Sequence, residues 1–286
     1  TMMAGMQMQM LARGYLVYDM TGSASLLGIV NAGHALPMLG LALFGGAIAD
    51  RFERKLLIQA GQVVPALLAF VVGIAIFSDN IQWYHLLLVS VIQGSMFSFM
   101  MPARQAIIPQ LVGKYGLSNA MALNAAGMSS MTLVAPAIAG GLYAWLGPAN
   151  VYFVITGLNV LAIAFMSFVP KTGTGSAGTK GPIIRDIAAG LTYIRQTQIV
   201  KVLLIMGLAT TLLAMPFRFL MPVFVVDVYN KGPESMGLLV AVMGAGSLVG
   251  SLFIAAIGQW KRGMLLIFRS FASALALLLL AILPLY

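Results

Sequence analysis

The chain has 286 residues, of which 60% are hydrophobic and 8% are charged, and its mean hydropathy is +0.98. Because soluble domains carry about a quarter charged residues, this composition excludes a water-soluble globule and indicates a polytopic membrane protein. The formal net charge of +9 would suggest nucleic acid binding in a soluble protein, but here the cations collect in alternate loops, so we expect contact with the lipid bilayer and no nucleic acid partner.

Apolar stretches of about twenty residues, long enough to cross a bilayer as helices, follow one another along the chain. The first stretch starts with neither a charged leader nor a signal-peptide pattern, and we interpret it as the tail of a helix whose beginning is missing. The predicted helices cover about 1–17, 26–49, 56–77, 83–101, 121–146, 151–169, 200–228, 235–257 and 264–283.

A short turn between the second and third predicted helices is densely charged. Asp50 is expected to begin the third helix, where a carboxylate meets unpaired amides and the positive end of the helix dipole, and Arg54 would share its helical face. Gly46 would allow close helix approach. The alternative is that the charges only set orientation, because cations in a short turn favour the cytoplasmic side. The charges are Asp50, Arg51, Glu53, Arg54 and Lys55.

The cations of the other connecting segments extend this topology. All of them lie in the predicted inner segments except Lys231, so the loops 50–55, 110–118, 170–198 and 258–263 are predicted to be cytoplasmic. One inner cation, Arg104, stands between Pro102 and Pro109, where the fourth helix is expected to break or bend.

Residues 171–182 are rich in Gly, Thr, Ser and Lys, which predicts a flexible linker, and 185–197 predicts an amphipathic helix on the cytoplasmic surface. A repeat spans this linker: Asp19 and Gly28 recur as Asp227 and Gly237, at offsets of 227 − 19 = 208 and 237 − 28 = 209 residues. The repeat suits two homologous six-helix halves. We therefore divide the chain at 1–169, 170–198 and 199–286, as a fragment with about nine of twelve helices.

The spacing of Gly46, Asp50, Arg51, Arg54 and Lys55 resembles the loop signature G-x-x-x-D-R-x-G-R-K of the major facilitator superfamily, with Glu53 where glycine is usual. Residues 11–23, 102–109 and 120–124 are similar to its enterobactin-exporter branch, which includes siderophore exporters and macrolide-efflux-like proteins of the transmembrane secretion effector type. The resemblance covers essentially the whole chain. It implies an all-α membrane fold, alternating access and a monomer in the bacterial inner membrane.

The fifth predicted helix carries Val134–Gly141, which is similar to the glycine-proline motif of superfamily antiporters. Ala135 replaces the glycine before Pro136, and Gly140 stands one residue further from that proline than in the drug-antiporter form. A proline kink with Gly140 and Gly141 predicts a pivot between helices. Plain small-residue packing is the alternative.

Polar side chains inside the predicted helices are the candidates for substrate or proton contact, because such groups are costly in lipid. Pro216 and Pro222 are expected to interrupt the seventh helix, and Arg218, which stands between them, would reach a central cavity. Arg13 either contacts substrate, or snorkels or pairs with Asp19, and His34 either carries a proton or makes a packing hydrogen bond. The amides are either cavity liners or interhelical hydrogen-bonding groups: Asn31, Gln62, Gln93 and Asn124.

The chain shows no catalytic constellation, no cysteine and no phosphate loop, so we predict neither an enzyme nor a bound cofactor or metal. The interpretation is a proton-coupled exporter of a siderophore, a macrolide or another drug-like molecule. The 20 methionines suit either core packing or a promiscuous apolar cavity. A lysophospholipid transporter and a non-transporting receptor or scaffold on the same fold are the alternatives.

Overall fold

The computed structural model describes residues 2–170 and 192–257, which are helical almost throughout. Five segments in these ranges are long and apolar enough to cross a membrane, which confirms the predicted all-α membrane architecture. The ninth predicted helix and most of the linker lie outside the described residues. The elements are α1 (Met2–Thr21), α2 (Ala24–Arg51), α3 (Arg54–Phe77), α4 (Trp83–Ser167), α5 (Gln198–Phe219), α6 (Met221–Val223), a π-helical turn (Phe224–Val228) and α7 (Pro233–Ile257).

The long element α4 contains the fourth, fifth and sixth predicted helices. In a straight helix, Arg104 and Asn124 would be about 30 Å apart, yet Nη2 of Arg104 lies 3.1 Å from Oδ1 of Asn124. The chain therefore reverses between them, and it turns again at Gly147, whose φ of +80° favours glycine. The predicted loops 110–118 and 147–150 are consequently corners with largely helical backbone.

Helix α1 lies at the centre of the described structure. Leu11, Ala12 and Val17 are at most 3% exposed and belong to one apolar cluster with Tyr152 of α4 and Val225 of the π turn. This cluster joins elements of both predicted halves. The division into those halves remains a prediction, with α1–α4 before the linker and α5–α7 after it.

Contacts at the two ends of the bundle agree with the predicted alternation of loops. Lys55 donates to the carbonyl oxygens of Ser167 (3.0 Å) and Val169 (2.6 Å), so two predicted inner segments meet at one end. Tyr18 contacts Asp227, so two predicted outer segments meet at the other. The sidedness of these ends remains a prediction from charge.

The structure corrects the expected start of the third helix. Asp50 lies in the last turn of α2, Phe52 is extended with φ −102° and ψ 157°, and Glu53 is the N-cap of α3. Because the chain leaves helical geometry between Asp50 and Arg54, these residues do not lie on one continuous helix, and the N-cap position of α3 belongs to Glu53. The side chain of Asp50 lies outside the described structure.

Two further boundaries differ from expectation. The predicted outer loop 18–25 contracts to Gly22 and Ser23, because α1 continues to Thr21 and Ser23 caps α2 by accepting from the amide of Leu26 at 3.3 Å. The interruption expected at Pro222 lies two residues earlier, as a single-residue break at Leu220, just before α6.

Most of the prolines do not break the helices. The helical backbone continues through Pro102 and Pro109, where a break or a bend was expected, and through Pro216, where an interruption was expected. Pro102 leaves the carbonyl of Ser98 without its helical donor, and that oxygen is covered instead by α2, which approaches it closely at Gly45. Packing against a neighbouring helix thus replaces the lost backbone hydrogen bond.

Candidate functional site

A chain of oriented hydrogen bonds connects the two predicted halves. Nη2 of Arg218 in α5 donates to Oε1 of Gln7 in α1 at 3.3 Å, and Nε2 of Gln7 donates to Oγ1 of Thr132 in α4 at 2.7 Å. The Thr132 hydroxyl in turn donates to the carbonyl of Met128 at 3.0 Å. Every group in this chain has a defined donor or acceptor role, so the orientation of the Gln7 amide is fixed.

These hydrogen-bonded residues border a small cavity of about 30 Å³. Its lining includes Gln7, Asn31, Arg218 and Pro222. Arg218 and Asn31, both predicted to face a cavity, are thus brought to the same place. Drug-sized ligands need roughly 300–1,000 Å³. The helices must therefore separate before such a ligand can occupy this position.

The end predicted to face outward is closed by backbone contact between α4 and α7. A Cβ added to Gly140 would lie 2.5 Å from the carbonyl oxygen of Pro233 and 2.9 Å from Cα of Gly237, closer than real Cβ contacts allow. Seven residues further along α7, Gly244 approaches Leu133 in the same way, at 2.7 Å. Glycine is required here because the two backbones touch.

A side-chain contact closes the same end. The Tyr18 hydroxyl donates to Oδ2 of Asp227, so the end of α1 is tied to the π turn. Tyr15 and Tyr143 stack edge to face nearby, with ring centroids 5.1 Å apart. A hydrogen bond to a charged acceptor is stronger than one between neutral groups, which makes the Tyr18–Asp227 pair the principal polar contact at this closed end of the described structure.

The spacing of these contacts follows the internal repeat. Gln7 meets Arg218, Gly14 meets Pro222, and Tyr18 meets Asp227, so the partners are separated by 218 − 7 = 211, 222 − 14 = 208 and 227 − 18 = 209 residues. The second and third values match the repeat offset of 208 to 209, and the first exceeds it by two to three residues, which is less than one helical turn. Residues equivalent by the repeat therefore lie at the same height, as a pseudo-two-fold axis along the membrane normal requires.

A larger cavity of about 490 Å³ lies at the end that carries the charged turn. The walls are rich in methionine, including Met2, Met128 and Met166, and carry Gln62, Arg104 and Asn124. Arg104 donates to Asn124 through Nη2, while its buried Nη1 has no hydrogen-bond partner in the described structure. The arrangement combines an adaptable apolar surface with one partly satisfied cation.

A third group of polar side chains is buried inside the first half. Arg13 is 5% exposed, and its Nη1 donates to Oε1 of Gln93 at 3.4 Å. Gln93 and His34 line a cavity of about 60 Å³ together with Gln9. Arg13 therefore neither snorkels nor pairs with Asp19, which is exposed. Its described partner is a neutral amide.

The charged turn braces the first half. Nη1 of Arg54 donates to the carbonyl of Ala106 at 2.9 Å, and Lys55 binds the last carbonyls of α4, where a cation also opposes the helix dipole. At the positions where a Cβ would lie, Gly46 and Gly141 have no described atom within 4 Å, so the close helix contact expected of them is not formed within the described part of the chain. Gly45 and Gly140 make such contacts instead.

The polar residues predicted from sequence therefore separate into three locations. Arg218 and Asn31 lie between the halves, Gln62, Arg104 and Asn124 lie at the inner cavity, and Arg13, His34 and Gln93 lie inside the first half. Sequence reasoning missed Gln7, Thr132, Tyr18 and Asp227. The repeat pairs Asp227 with Asp19, the neighbour of Tyr18, and this was the one signal near the last two, because residues 209 apart carry no local pattern.

Comparisons with known proteins agree with this architecture. A family model described as transmembrane secretion effector matches residues 2–286. The macrolide efflux protein A of Streptococcus pyogenes is 26% identical over 276 residues, which cover 94% of this chain and 67% of the relative. The protein of that name from Enterococcus faecalis is 26% identical over 269 residues, with coverage of 92% and 82%.

A further relative is the multidrug efflux pump Tap of Mycolicibacterium fortuitum, 25% identical over 291 residues, which cover 98% of this chain and 71% of the pump. The names of these relatives describe efflux transporters. The chain belongs to the transmembrane secretion effector family of the major facilitator superfamily, and is a multi-pass transport protein of the bacterial plasma membrane.

Proposed function

We propose that this protein exports an organic drug-like molecule, such as a macrolide, by alternating access coupled to protons. The observation that carries the proposal is the bridge from Arg218 through Gln7 to Thr132, because it places a cation and oriented amide groups between the two halves. A site at such an interface is exposed to each side in turn when the halves rock. The names of the relatives support the substrate class.

The conformation described by the structure fits one state of this cycle. Contacts at Gly140 and Tyr18 close the end predicted to face outward, while the 490 Å³ cavity lies at the end predicted to face the cytoplasm. Methionine side chains adapt their shape to different apolar ligands. We therefore assign the cavity as the route by which substrate reaches the bridge from the cytoplasm.

In this proposal, His34 binds and releases the coupled proton. The buried carboxylates used by many proton-driven carriers are absent from the side chains described between the two ends of the bundle, and the other histidine, His85, lies at the start of α4, where its Nδ1 accepts from the amide of Gln82. Imidazole is the side chain whose charge changes near neutral pH. His34→Gln should therefore abolish the dependence of transport on a pH gradient.

The test is transport by the complete protein in liposomes, driven by an imposed pH gradient, with macrolides and unrelated drugs as substrates. Arg218→Lys keeps the charge but loses the planar fork, so it should weaken transport of some substrates more than others, and Arg218→Ala should be worse. Arg195→Ala is the control, because Arg195 is exposed just before α5.

Three results would contradict the proposal. One is the absence of transport of every drug tested by correctly folded protein, as expected of a scaffold or receptor. Another is transport of lysophospholipid alone. The third is normal transport per folded molecule by Arg218→Ala, which would make the role of Arg218 structural.

A further inference from the structure

Inside the first half, several buried nitrogen atoms that can only donate hydrogen bonds have no acceptor among the described residues. They are Nε of Arg13, Nε2 of Gln9 and Nε2 of Gln93, and the three side chains are 5%, 6% and 8% exposed. An unpaired donor in a protein interior is costly. The cluster therefore calls for an acceptor that the described side chains do not supply.

The direction of these donors is defined at Gln93. Its Oε1 accepts from Nη1 of Arg13, and exchanging the two ends of the amide would set one donor against another. The atom of Gln93 without a partner is therefore the donor Nε2. Gln93 lines the 60 Å³ cavity, as do Gln9 and His34. Nδ1 of His34 is also buried without a partner, so a fourth nitrogen is available there.

Charge decides which kind of ligand fits. Arg13 donates its described hydrogen bond to a neutral amide, and no described carboxylate pairs with it. Its charge also interacts electrostatically with His34. Water would satisfy the donors and leave the buried charge uncompensated, whereas an anion answers both needs. Thioethers of Met2, Met6, Met96 and Met100 also line the cavity and suit Cu(I), but the nearby guanidinium repels a cation.

We propose that this cavity binds one small monovalent anion of halide size, which accepts hydrogen bonds from the amides of Gln9 and Gln93 and balances the charge of Arg13. A volume of about 60 Å³ exceeds the roughly 10–15 Å³ of such space that one particle of water size requires. A chloride ion fits this space, and a large organic anion such as gluconate does not.

The test uses the complete purified protein, with its melting temperature measured in sodium chloride, sodium bromide or sodium gluconate at constant ionic strength. Chloride and bromide should raise the melting temperature saturably, and gluconate should not. Gln93→Glu places a carboxylate beside Arg13 as a substitute for the ion. The half-saturating chloride concentration of this variant should rise at least about tenfold, which corresponds to about 1.4 kcal/mol of lost affinity.

Gln62→Glu is the matched control, since Gln62 is another buried glutamine of the first half, 4% exposed, that lines the inner cavity instead. It should keep the chloride response of the unaltered protein. Equal melting temperatures in chloride and gluconate, or an unchanged response in Gln93→Glu, would overturn the proposal. If Gln93→Glu does not fold, crystals grown in bromide decide: an anomalous peak beside Gln9 and Gln93 supports the site, and water alone there refutes it.

Discussion

At the scale of single residues, the buried Arg13 and the half-buried Arg218 share one feature. Arg218 donates to Gln7 and Arg13 donates to Gln93, so each guanidinium is held by a neutral amide. An amide orients an arginine without cancelling its charge, whereas a carboxylate would form an ion pair that a substrate must break. Both cations therefore keep charge available for a ligand, in a part of the protein where an ionisable group is expensive.

Thr132→Val should impair transport by releasing Gln7. The hydroxyl of Thr132 accepts from Nε2 of Gln7, and valine has the same shape without this acceptor. Losing one hydrogen bond costs about 1 kcal/mol, or roughly fivefold in an equilibrium constant, so substrate affinity should fall by about that factor in a binding titration. Thr156→Val is the control, because Thr156 bonds only its own helix, at the carbonyl of Tyr152. Equal affinities in both variants would exclude a role for the bridge.

Lys55→Met should lower the stability of the folded protein without changing its substrate preference. Nζ of Lys55 donates to the carbonyls of Ser167 and Val169 at the end of α4, where a cation also opposes the helix dipole. We expect a loss of about 1 kcal/mol, seen as a lower melting temperature in detergent. The exposed Lys201 provides the control variant Lys201→Met. A melting temperature no lower than that of the control would mean that the turn only sets orientation.

At the scale of helices, two adjacent glycines in α4 have different surroundings. Gly140 touches the backbone of α7, whereas Gly141 has open space. Gly140→Ala should therefore force the two helices apart, at a cost of about 1 to 3 kcal/mol, and Gly141→Ala should be tolerated. In this cysteine-free chain, a single cysteine placed at Asp19 reports the effect by its labelling rate from outside. Labelling that does not differ between the two variants would show that α7 does not close this end.

Helix positions were predictable because each bilayer crossing needs an uncharged run, and Arg54 and Lys55 mark the start of α3 almost to the residue. Helix ends were less predictable. Pro109 was expected to disturb a helix that continues through it, and of the two interruptions expected at Pro216 and Pro222 a single break occurs, at Leu220. Such ends depend on which neighbouring helix can accept the freed backbone groups, and sequence alone does not identify that neighbour.

The candidate site shows the same division between local and distant information. Arg218 was identified because a charge within an apolar run is costly wherever it lies. Gln7 was not identified from sequence, since a neutral amide is tolerated in many positions. Its role comes from hydrogen bonds to Arg218 and Thr132, which lie 211 and 125 residues away. Pairings over such distances are determined by the packing of two repeated units. A local sequence pattern does not predict them.

At the scale of the whole molecule, the repeat places equivalent residues opposite each other across the interface between the halves. Tyr18, the residue before the repeat equivalent of Asp227, meets Asp227 at the end of α1, next to the glycine contacts of α4 and α7. Rocking of the halves must break this hydrogen bond before that end can open. The pair therefore acts as a latch whose strength sets the balance between the two orientations of the transporter.

Asp227→Asn and Tyr18→Phe should both shift this balance toward opening at the latch. A hydrogen bond to a charged group contributes about 1.5 to 3 kcal/mol, so losing it should change the ratio of the two states by roughly ten- to hundredfold. A cysteine near the latch, at Tyr229, should then label faster from outside, while a cysteine at Met128 in the inner cavity labels more slowly. Asp19→Asn is the matched control, because Asp19 is the repeat equivalent of Asp227, is exposed and has no hydrogen bond in the described structure. If Asp227→Asn labels no faster than this control, closure of the predicted outer end rests on the glycine contacts alone.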